Sequence, residues 1–154
     1  MVEFVVPGIA ELGYRQYLLS DAETMAYNAP WTSDGTGRIL QTDEQLRIWY
    51  RRLNNTYYAY IYANNKPVGE VFISPTGGLS IIIEAKYRNQ SYGLSALKKL
   101  CDLAFTTLGY TVLTDDFPAS RVSAEALFQT AGFERISDSR VQLTKERWKQ
   151  RNDS

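Results

Sequence analysis

The clearest pattern in the chain is a stripe of apolar residues that follows a short polar turn. They recur every three or four positions, which predicts one buried face of a helix over residues 91–108. These residues are Leu94, Leu97, Cys101, Ala104 and Leu108. The apolar run before the turn, residues 79–84, is typical of a buried strand. The order of strand, polar turn and helix can bind an anion such as a diphosphate. The first helical turn has unpaired amides and the positive end of the helix dipole.

Further segments have the aromatic and β-branched residues of strands, and turn residues separate them. The predicted strands cover residues 1–6, 56–63, 66–74, 79–84, 111–117, 133–136 and 140–145. The pair Asn64-Asn65 favours a hairpin turn, because asparagine tolerates positive φ. We therefore expect an antiparallel meander of strands over residues 56–84.

Capping signals locate the other helices. Thr42 and Gln45 form a capping box, and the apolar residues behind it lie on one face of a helix that ends before Asn54. Residues 8–28 show a broken helical pattern, and Ser120 is a plausible cap for a helix ending at Gly132. The charged run 145–149 is interpreted as a solvated end.

The order of these elements predicts an α/β (α+β) domain with a mostly antiparallel sheet of about six or seven strands, flanked by about four helices. The helix over 91–108 is long enough for a crossover, so the strand at 111–117 should run parallel to the strand at 79–84. A length of 154 residues fits one domain that spans residues 1–154.

Composition excludes several classes of function. The chain has 17 basic and 17 acidic residues, so a basic face for a nucleic acid is not expected. The absence of histidine excludes Ser-His-Asp and Cys-His catalysis and, with one cysteine, argues against a metal site. A single cysteine, with no signal peptide and no apolar run of membrane length, predicts a cytoplasmic protein without a membrane partner.

Two motifs resemble those of the GCN5-related N-acetyltransferase (GNAT) superfamily. The polar turn resembles motif A, Arg/Gln-x-x-Gly-x-Gly/Ala, with Arg88, Ser91 and Gly93 at the defined positions. Ala124-x-x-Leu127-Phe128-x-x-x-Gly132-Phe133 resembles motif B, a helix that Gly-Phe closes. The resemblance covers roughly residues 56–147, in family order. Ser91 replaces the first glycine of motif A, and we expect it to adopt ordinary helical angles.

The resemblance implies acetyl-CoA as the cofactor and no metal. In the family the two parallel strands splay apart and the cofactor fills the wedge, with its pantetheine paired to strand backbone and its pyrophosphate over the motif A amides. The implied cofactor-binding residues are Ile81, Ile82, Ile83, Arg88, Asn89, Gln90, Ser91, Tyr92, Gly93, Leu94, Arg121 and Phe128.

The implied reaction is direct attack by a primary amine in a ternary complex. A lysine-like amine has a pKa of about 10.4, so a base must remove its proton. The candidates are Asp116, then Glu84, then Glu70. The family often protonates the leaving thiolate with a motif B tyrosine, and this chain has Phe128 there. Candidate acceptor-binding residues are Tyr14, Tyr27 and Trp31.

Other interpretations stay open. Each carboxylate also fits a structural role, as a cap or an ion-pair partner, and aromatic residues at helical spacing are often core. The departures at Ser91 and Phe128 favour, as the alternative, a non-catalytic acyl-CoA-binding module or sensor. A larger acyl group is a third possibility. The acceptor is expected to be a small-molecule or peptide amine, and a homodimer is a possible assembly.

Overall fold

The computed structural model describes residues 1–152 and contains seven strands and six α-helices in that range. The strands are β1 (Glu3–Val5), β2 (Tyr57–Ala63), β3 (Lys66–Ile73), β4 (Leu79–Ile83), β5 (Val112–Asp116), β6 (Glu134–Ser137) and β7 (Arg140–Thr144). The helices are α1 (Gly13–Ser20), α2 (Ala22–Met25), α3 (Asp43–Arg51), α4 (Tyr92–Thr106), α5 (Val122–Thr130) and α6 (Lys145–Asn152). Short 3-10 helices cover Ile9–Glu11, Ala26–Trp31 and Ala85–Tyr87.

The strands form two antiparallel sheets, with the orders β1-β2-β3-β4 and β5-β7-β6. The predicted mixed α/β fold with mostly antiparallel strands is confirmed, and so is the meander over β2, β3 and β4. Within residues 1–152, the predicted parallel pairing of the strands at 79–84 and 111–117 is reduced to a single parallel bridge between Gly78 and Thr114. At this bridge the N–H of Thr114 donates to the carbonyl of Gly77 at 3.0 Å. The two sheets are therefore joined at the start of β4 and not along its length.

Strand β4 lies between two packing layers. Ile81 and Ile83 pack on the main core, which α4 and α5 line through Leu97, Leu100 and Phe128. The layer on the other face comprises Leu18, Leu19, Met25 and Ile82. The alternation of a strand places its neighbouring side chains on opposite faces, so β4 is buried by both layers.

The run at 145–149, interpreted above as a solvated end, forms the start of α6, a helix with no buried residue. Trp148 anchors the helix: its ring lies 5.4 Å from the ring of Phe105, and its indole N–H donates to Asp102 at 2.9 Å. Arg147 and Arg151 add hydrogen bonds to the carbonyls of Gly132 and Thr130. A periodicity argument does not detect a segment held by one partly buried aromatic residue and by polar contacts. No helix within residues 1–152 is long and apolar enough to cross a membrane.

Candidate active site

Strand β4 has one unpaired edge. The N–H of Glu84 donates to the carbonyl of Val68 at 2.8 Å. In an antiparallel pair every second residue points its N–H and C=O toward the partner strand, so this bond identifies which residues of β4 face β3. Ile82 therefore directs its backbone groups to β3, and Ile81 and Ile83 direct theirs to the opposite edge. Beyond the single bridge to β5, no strand in the described part of the chain pairs with that edge. Of the three isoleucines predicted to bind a cofactor through their backbone, Ile82 is paired with β3, and Ile81 and Ile83 point their backbone groups to the unpaired edge.

The loop that follows β4 turns sharply before α4. Asn89 and Ser91 both have left-handed backbone angles, with φ of 64° and 65°. Ser91 is the N-cap of α4, and its side chain makes no capping hydrogen bond. The expectation that Ser91 would adopt ordinary helical angles was wrong, because the turn needs the conformation for which glycine is best suited.

The first turn of α4 presents free amides. Within residues 1–152, the N–H groups of Tyr92, Gly93 and Leu94 make no hydrogen bond, as expected for the start of a helix. A Cβ added at Gly93 would lie 3.8 Å from both Ile83 and Leu127, an ordinary contact distance. The loop residues 89–91 are exposed. These amides and the unpaired edge of β4 adjoin each other, since β4 leads into the loop.

Arg88 makes its hydrogen bonds to a neighbouring helix. Its Nη2 donates to the carbonyl of Thr24 at 2.8 Å, and its Nη1 to the carbonyl of Glu23 at 3.4 Å. Both carbonyls belong to α2, whose last turn would otherwise lack partners. The predicted phosphate-binding arginine is therefore also a contact between the loop and α2.

Glu84 is buried, with 2% of its surface exposed, and binds two tyrosines of α1. The hydroxyl of Tyr14 donates to Oε1 at 2.9 Å, and that of Tyr17 donates to Oε2 at 3.0 Å. Lys86 lies 3.5 Å from Oε2. Burial and the hydrogen bond to Glu84 raise the pKa of Tyr14. Both carboxylate oxygens are thus occupied by donors, so Glu84 holds α1 against the end of β4.

Glu70 is likewise buried and paired. It accepts a hydrogen bond from the hydroxyl of Tyr58 at 2.7 Å and forms an ion pair with Arg15. The Arg15 guanidinium lies 3.9 Å from the centre of the Trp49 ring. Burial and the nearby Glu70 charge raise the pKa of Tyr58. The geometry gives Glu70 the environment of a structural ion pair.

The two aspartates at the end of β5 differ in surroundings. Asp116 is exposed, and the Arg140 guanidinium donates to its two oxygens at 2.7 Å and 3.2 Å. These hydrogen bonds hold the pKa of Asp116 below its ordinary value, which makes the carboxylate a weaker base. Asp115 shares a strand face with the buried Leu113 and Phe117, and burial raises the pKa of Asp115 to about 6.

Sequence reasoning missed Asp115. The backbone N–H of Asp116 donates to Oδ1 of Asp115 at 2.7 Å. This hydrogen bond lowers the pKa of Asp115 and so opposes the effect of burial. The alternation Leu113-x-Asp115-x-Phe117 was a usable signal, because period-two spacing assigns Asp115 to the buried face. A half-buried carboxyl with a pKa near 6 suits proton transfer at neutral pH.

Tyr27 and Arg121 connect the 3-10 helix Ala26–Trp31 to the start of α5. The Arg121 guanidinium lies 5.0 Å from the centre of the Tyr27 ring and 5.8 Å from that of Phe117. Burial raises the pKa of the Tyr27 hydroxyl. The positive charge of Arg121 lowers this pKa in part, and the negative charges of Glu70 and Asp115 raise it further. Trp31, predicted at the same site, is 83% exposed.

Phe128 lies in the core. Its ring is 5.3 Å from Phe117 and 4.9 Å from Phe133, and only 4% of the residue is exposed. The motif B position therefore supplies apolar packing and no hydroxyl. Among the described residues, no group of three acidic, cysteine or histidine side chains is arranged to hold a metal ion.

Glu70→Ala tests whether this carboxylate is structural. The change leaves the largely buried Arg15 charge without its partner, so the free energy of unfolding should fall by about 3–5 kcal/mol in urea titrations. The matched control is Glu134→Ala, because Oε2 of Glu134 lies 3.8 Å from Nη1 of Arg147 and the two side chains are 53% and 42% exposed. That change should cost less than about 1 kcal/mol. Lost activity with unchanged stability in Glu70→Ala would instead assign Glu70 to the chemistry.

Comparison with known proteins agrees with this geometry. The family model described as Acetyltransferase (GNAT) family matches residues 18–133. No curated protein matches the sequence. One similar structure is the spermidine N-acetyltransferase from Vibrio cholerae in complex with CoA and spermine, at 13% identity and a TM-score of 0.78, covering 96% of this chain and 97% of that one.

A second similar structure is AAC(6')-Ib in complex with ribostamycin and coenzyme A, at 16% identity and a TM-score of 0.76. The alignment covers 96% of each chain. These likenesses extend along nearly the whole chain and support the fold. With the family model matched over most of the sequence, the chain belongs to the acetyltransferase (GNAT) family, the N-acetyltransferases that its two motifs predicted.

Proposed function

We propose that the protein transfers an acetyl group from acetyl-CoA to a primary amine by direct attack in a ternary complex. The observation that carries the proposal is the unpaired edge of β4 at Ile81 and Ile83, which leads into free first-turn amides of α4. An extended amide chain can add to such an edge as a further strand. A pyrophosphate suits the amides and the dipole at the start of the helix. Both similar structures described above contain coenzyme A.

The residues of this chain have separate tasks in the proposed complex. Ile81 and Ile83 bind the pantetheine amides through their backbone. The amides of Tyr92, Gly93 and Leu94 bind the diphosphate, and the absence of a Cβ at Gly93 keeps their approach open. Leu127 of α5 and Ile83 of β4 lie together on the side of Gly93 to which a Cβ would point, and Leu127 forms the wall of the wedge there. Acetyl-CoA supplies an acyl group that is already activated as a thioester.

The chemistry then needs a base and an oxyanion donor. Asp115 takes the proton of the acceptor ammonium, directly or through a water molecule, because its raised pKa lies close to neutral pH. The N–H of Ile83 donates to the carbonyl oxygen of the acetyl group as negative charge grows there. As the new C–N bond forms and the C–S bond breaks, the second proton of the attacking nitrogen passes to water. Since Phe128 offers no hydroxyl, the thiolate leaves as the anion.

The acceptor is proposed to be a small molecule with several amines. Spermine and ribostamycin, the ligands in the two similar structures, are both of this kind. Tyr27 and Trp31, two of the predicted acceptor-binding residues, are 43% and 83% exposed, and a cationic amine binds well over aromatic faces. Tyr14 is held by Glu84 and lies deeper.

A thiol-release assay tests the proposal. The protein is mixed with acetyl-CoA and, in turn, with spermine, ribostamycin or lysine-containing peptides, and coenzyme A binding is measured in parallel by calorimetry. We expect coenzyme A to bind and thiol release to require an amine from the panel. Coenzyme A binding without turnover would support the non-catalytic module that Phe128 and Ser91 suggest, and no binding at all would refute both.

Asp115→Asn tests the assignment of the base. In the unchanged protein, kcat/KM should rise tenfold per pH unit below about pH 6 and then lose this dependence, because only the ionised carboxylate accepts a proton. The substitution should remove this limb and lower kcat about 10²–10⁴-fold. The sequence-based alternative is compared directly through Asp116→Asn, for which the structure predicts little change, since Asp116 is exposed and paired with Arg140. The opposite ranking of the two variants would restore Asp116 as the base.

A further inference from the structure

The segment that would hold the diphosphate is tied to the segment on the acceptor side. Three residues within 84–88 bond to α1 or α2: Glu84 through the two tyrosines described above, Arg88 through its guanidinium, and Ala85 through its amide. The N–H of Ala85 donates to Oγ1 of Thr24 at 3.0 Å. Thr24 is fully buried, and its hydroxyl in turn donates to Asp21, the N-cap of α2. The two segments, more than 60 residues apart in sequence, therefore share one hydrogen-bond network.

Arg88 lies between this hydrogen-bond network and the exposed loop at residues 89–91. Two of its guanidinium N–H groups bond to the carbonyls of Glu23 and Thr24. A guanidinium has five N–H groups in a planar fork, and the remaining ones make no hydrogen bond to residues 1–152. The residue itself is exposed, and the left-handed turn at Asn89 begins directly after it. One side chain can thus bond to helix carbonyls and to a phosphate at the same time.

We propose that Arg88 is a positioning residue that bridges the diphosphate and the end of α2, so that cofactor binding orders α1 and α2 for the acceptor. The inference rests on the proposed function, because it needs a diphosphate at the start of α4. A phosphate that binds the free N–H groups fixes the orientation of the guanidinium plane and thereby restrains the two α2 carbonyls that the same plane holds. Ordering α1 fixes Tyr14, one of the predicted acceptor-binding residues.

This bridge needs an arginine. Lysine carries the same charge and binds phosphate as a point charge, but its ammonium cannot hold two carbonyls and a phosphate in one plane. Arg88→Lys should therefore keep most of the cofactor affinity, but cofactor binding should no longer order α1 and α2. By linkage, an acceptor that binds the ordered form should bind more tightly when the cofactor is present, and this reciprocal effect should also be lost.

Hydrogen–deuterium exchange with coenzyme A as the probe tests the bridge. In the unchanged protein, saturating coenzyme A should slow exchange at the loop over residues 89–95 and also slow it about tenfold or more over residues 13–25. In Arg88→Lys, with coenzyme A again saturating, the loop should stay protected and the added protection over 13–25 should disappear. A purely structural arginine would instead give faster exchange over 13–25 by the same factor with and without coenzyme A.

Arg38→Ala is the matched control. Arg38 also donates from its guanidinium to a helix carbonyl, that of Ser20 at the end of α1, but within residues 1–152 its side chain makes no hydrogen bond to the loop after β4. The effect of coenzyme A on residues 13–25 should persist in this variant. If it is lost there as well, the transmission is not specific to Arg88.

The outcomes separate this inference from the proposed function. Coenzyme A that protects no segment of the unchanged protein contradicts the proposed function itself. Protection of the loop without protection of residues 13–25 leaves the proposed function intact and overturns the bridge. Persistent protection of 13–25 in Arg88→Lys overturns the role of Arg88. The comparison in the unchanged protein needs no variant, so the bridge remains testable even where a substitution prevents folding.

Discussion

The one-sided pairing of β4 is the constraint on which the proposed site depends. Strand β3 takes the backbone groups of every second residue, and the bridge at Gly78 closes only the start of the other edge. A buried backbone amide without a partner is costly, so an edge left open at Ile81 and Ile83 favours an external group that supplies hydrogen bonds. The left-handed turn at Ser91 places the free amides of α4 at the end of the same edge. An extended ligand with an anionic end matches this arrangement of donors.

The face of β3 and β4 that packs against α1 contains buried charged and polar groups, whereas the main core is apolar. Buried carboxylates at Glu70 and Glu84 are matched by donors from Arg15, Tyr14 and Tyr17. A buried carboxylate is tolerated only when its oxygens are hydrogen-bonded, so these pairs set the position of α1 through directional contacts. Glu84 itself lies at the start of the loop after β4, so a change in that loop can reach α1 through its two tyrosines. Apolar packing at Ile82 alone would not transmit such a change in a defined direction.

Local signals account for what the sequence predicted. Periodicity located α4, the capping box located α3, and the turn at Asn64 located the hairpin of β2 and β3, because each depends on nearby residues. The motifs placed the site at the end of β4. Contacts between distant residues were not predictable: Arg88 meets Thr24, and Trp148 of α6 meets Phe105, only after folding. Strand alternation is also a local signal, and it assigns Asp115 rather than Asp116 to the buried face of β5.

The measurement that tests the central claim most directly is a crystal structure of the protein with coenzyme A. The account predicts pantetheine amides hydrogen-bonded to the backbone of Ile81 and Ile83, and pyrophosphate oxygens within hydrogen-bond distance of the amides of Tyr92, Gly93 and Leu94. Coenzyme A bound elsewhere, with the edge of β4 paired to another part of the chain, would contradict it.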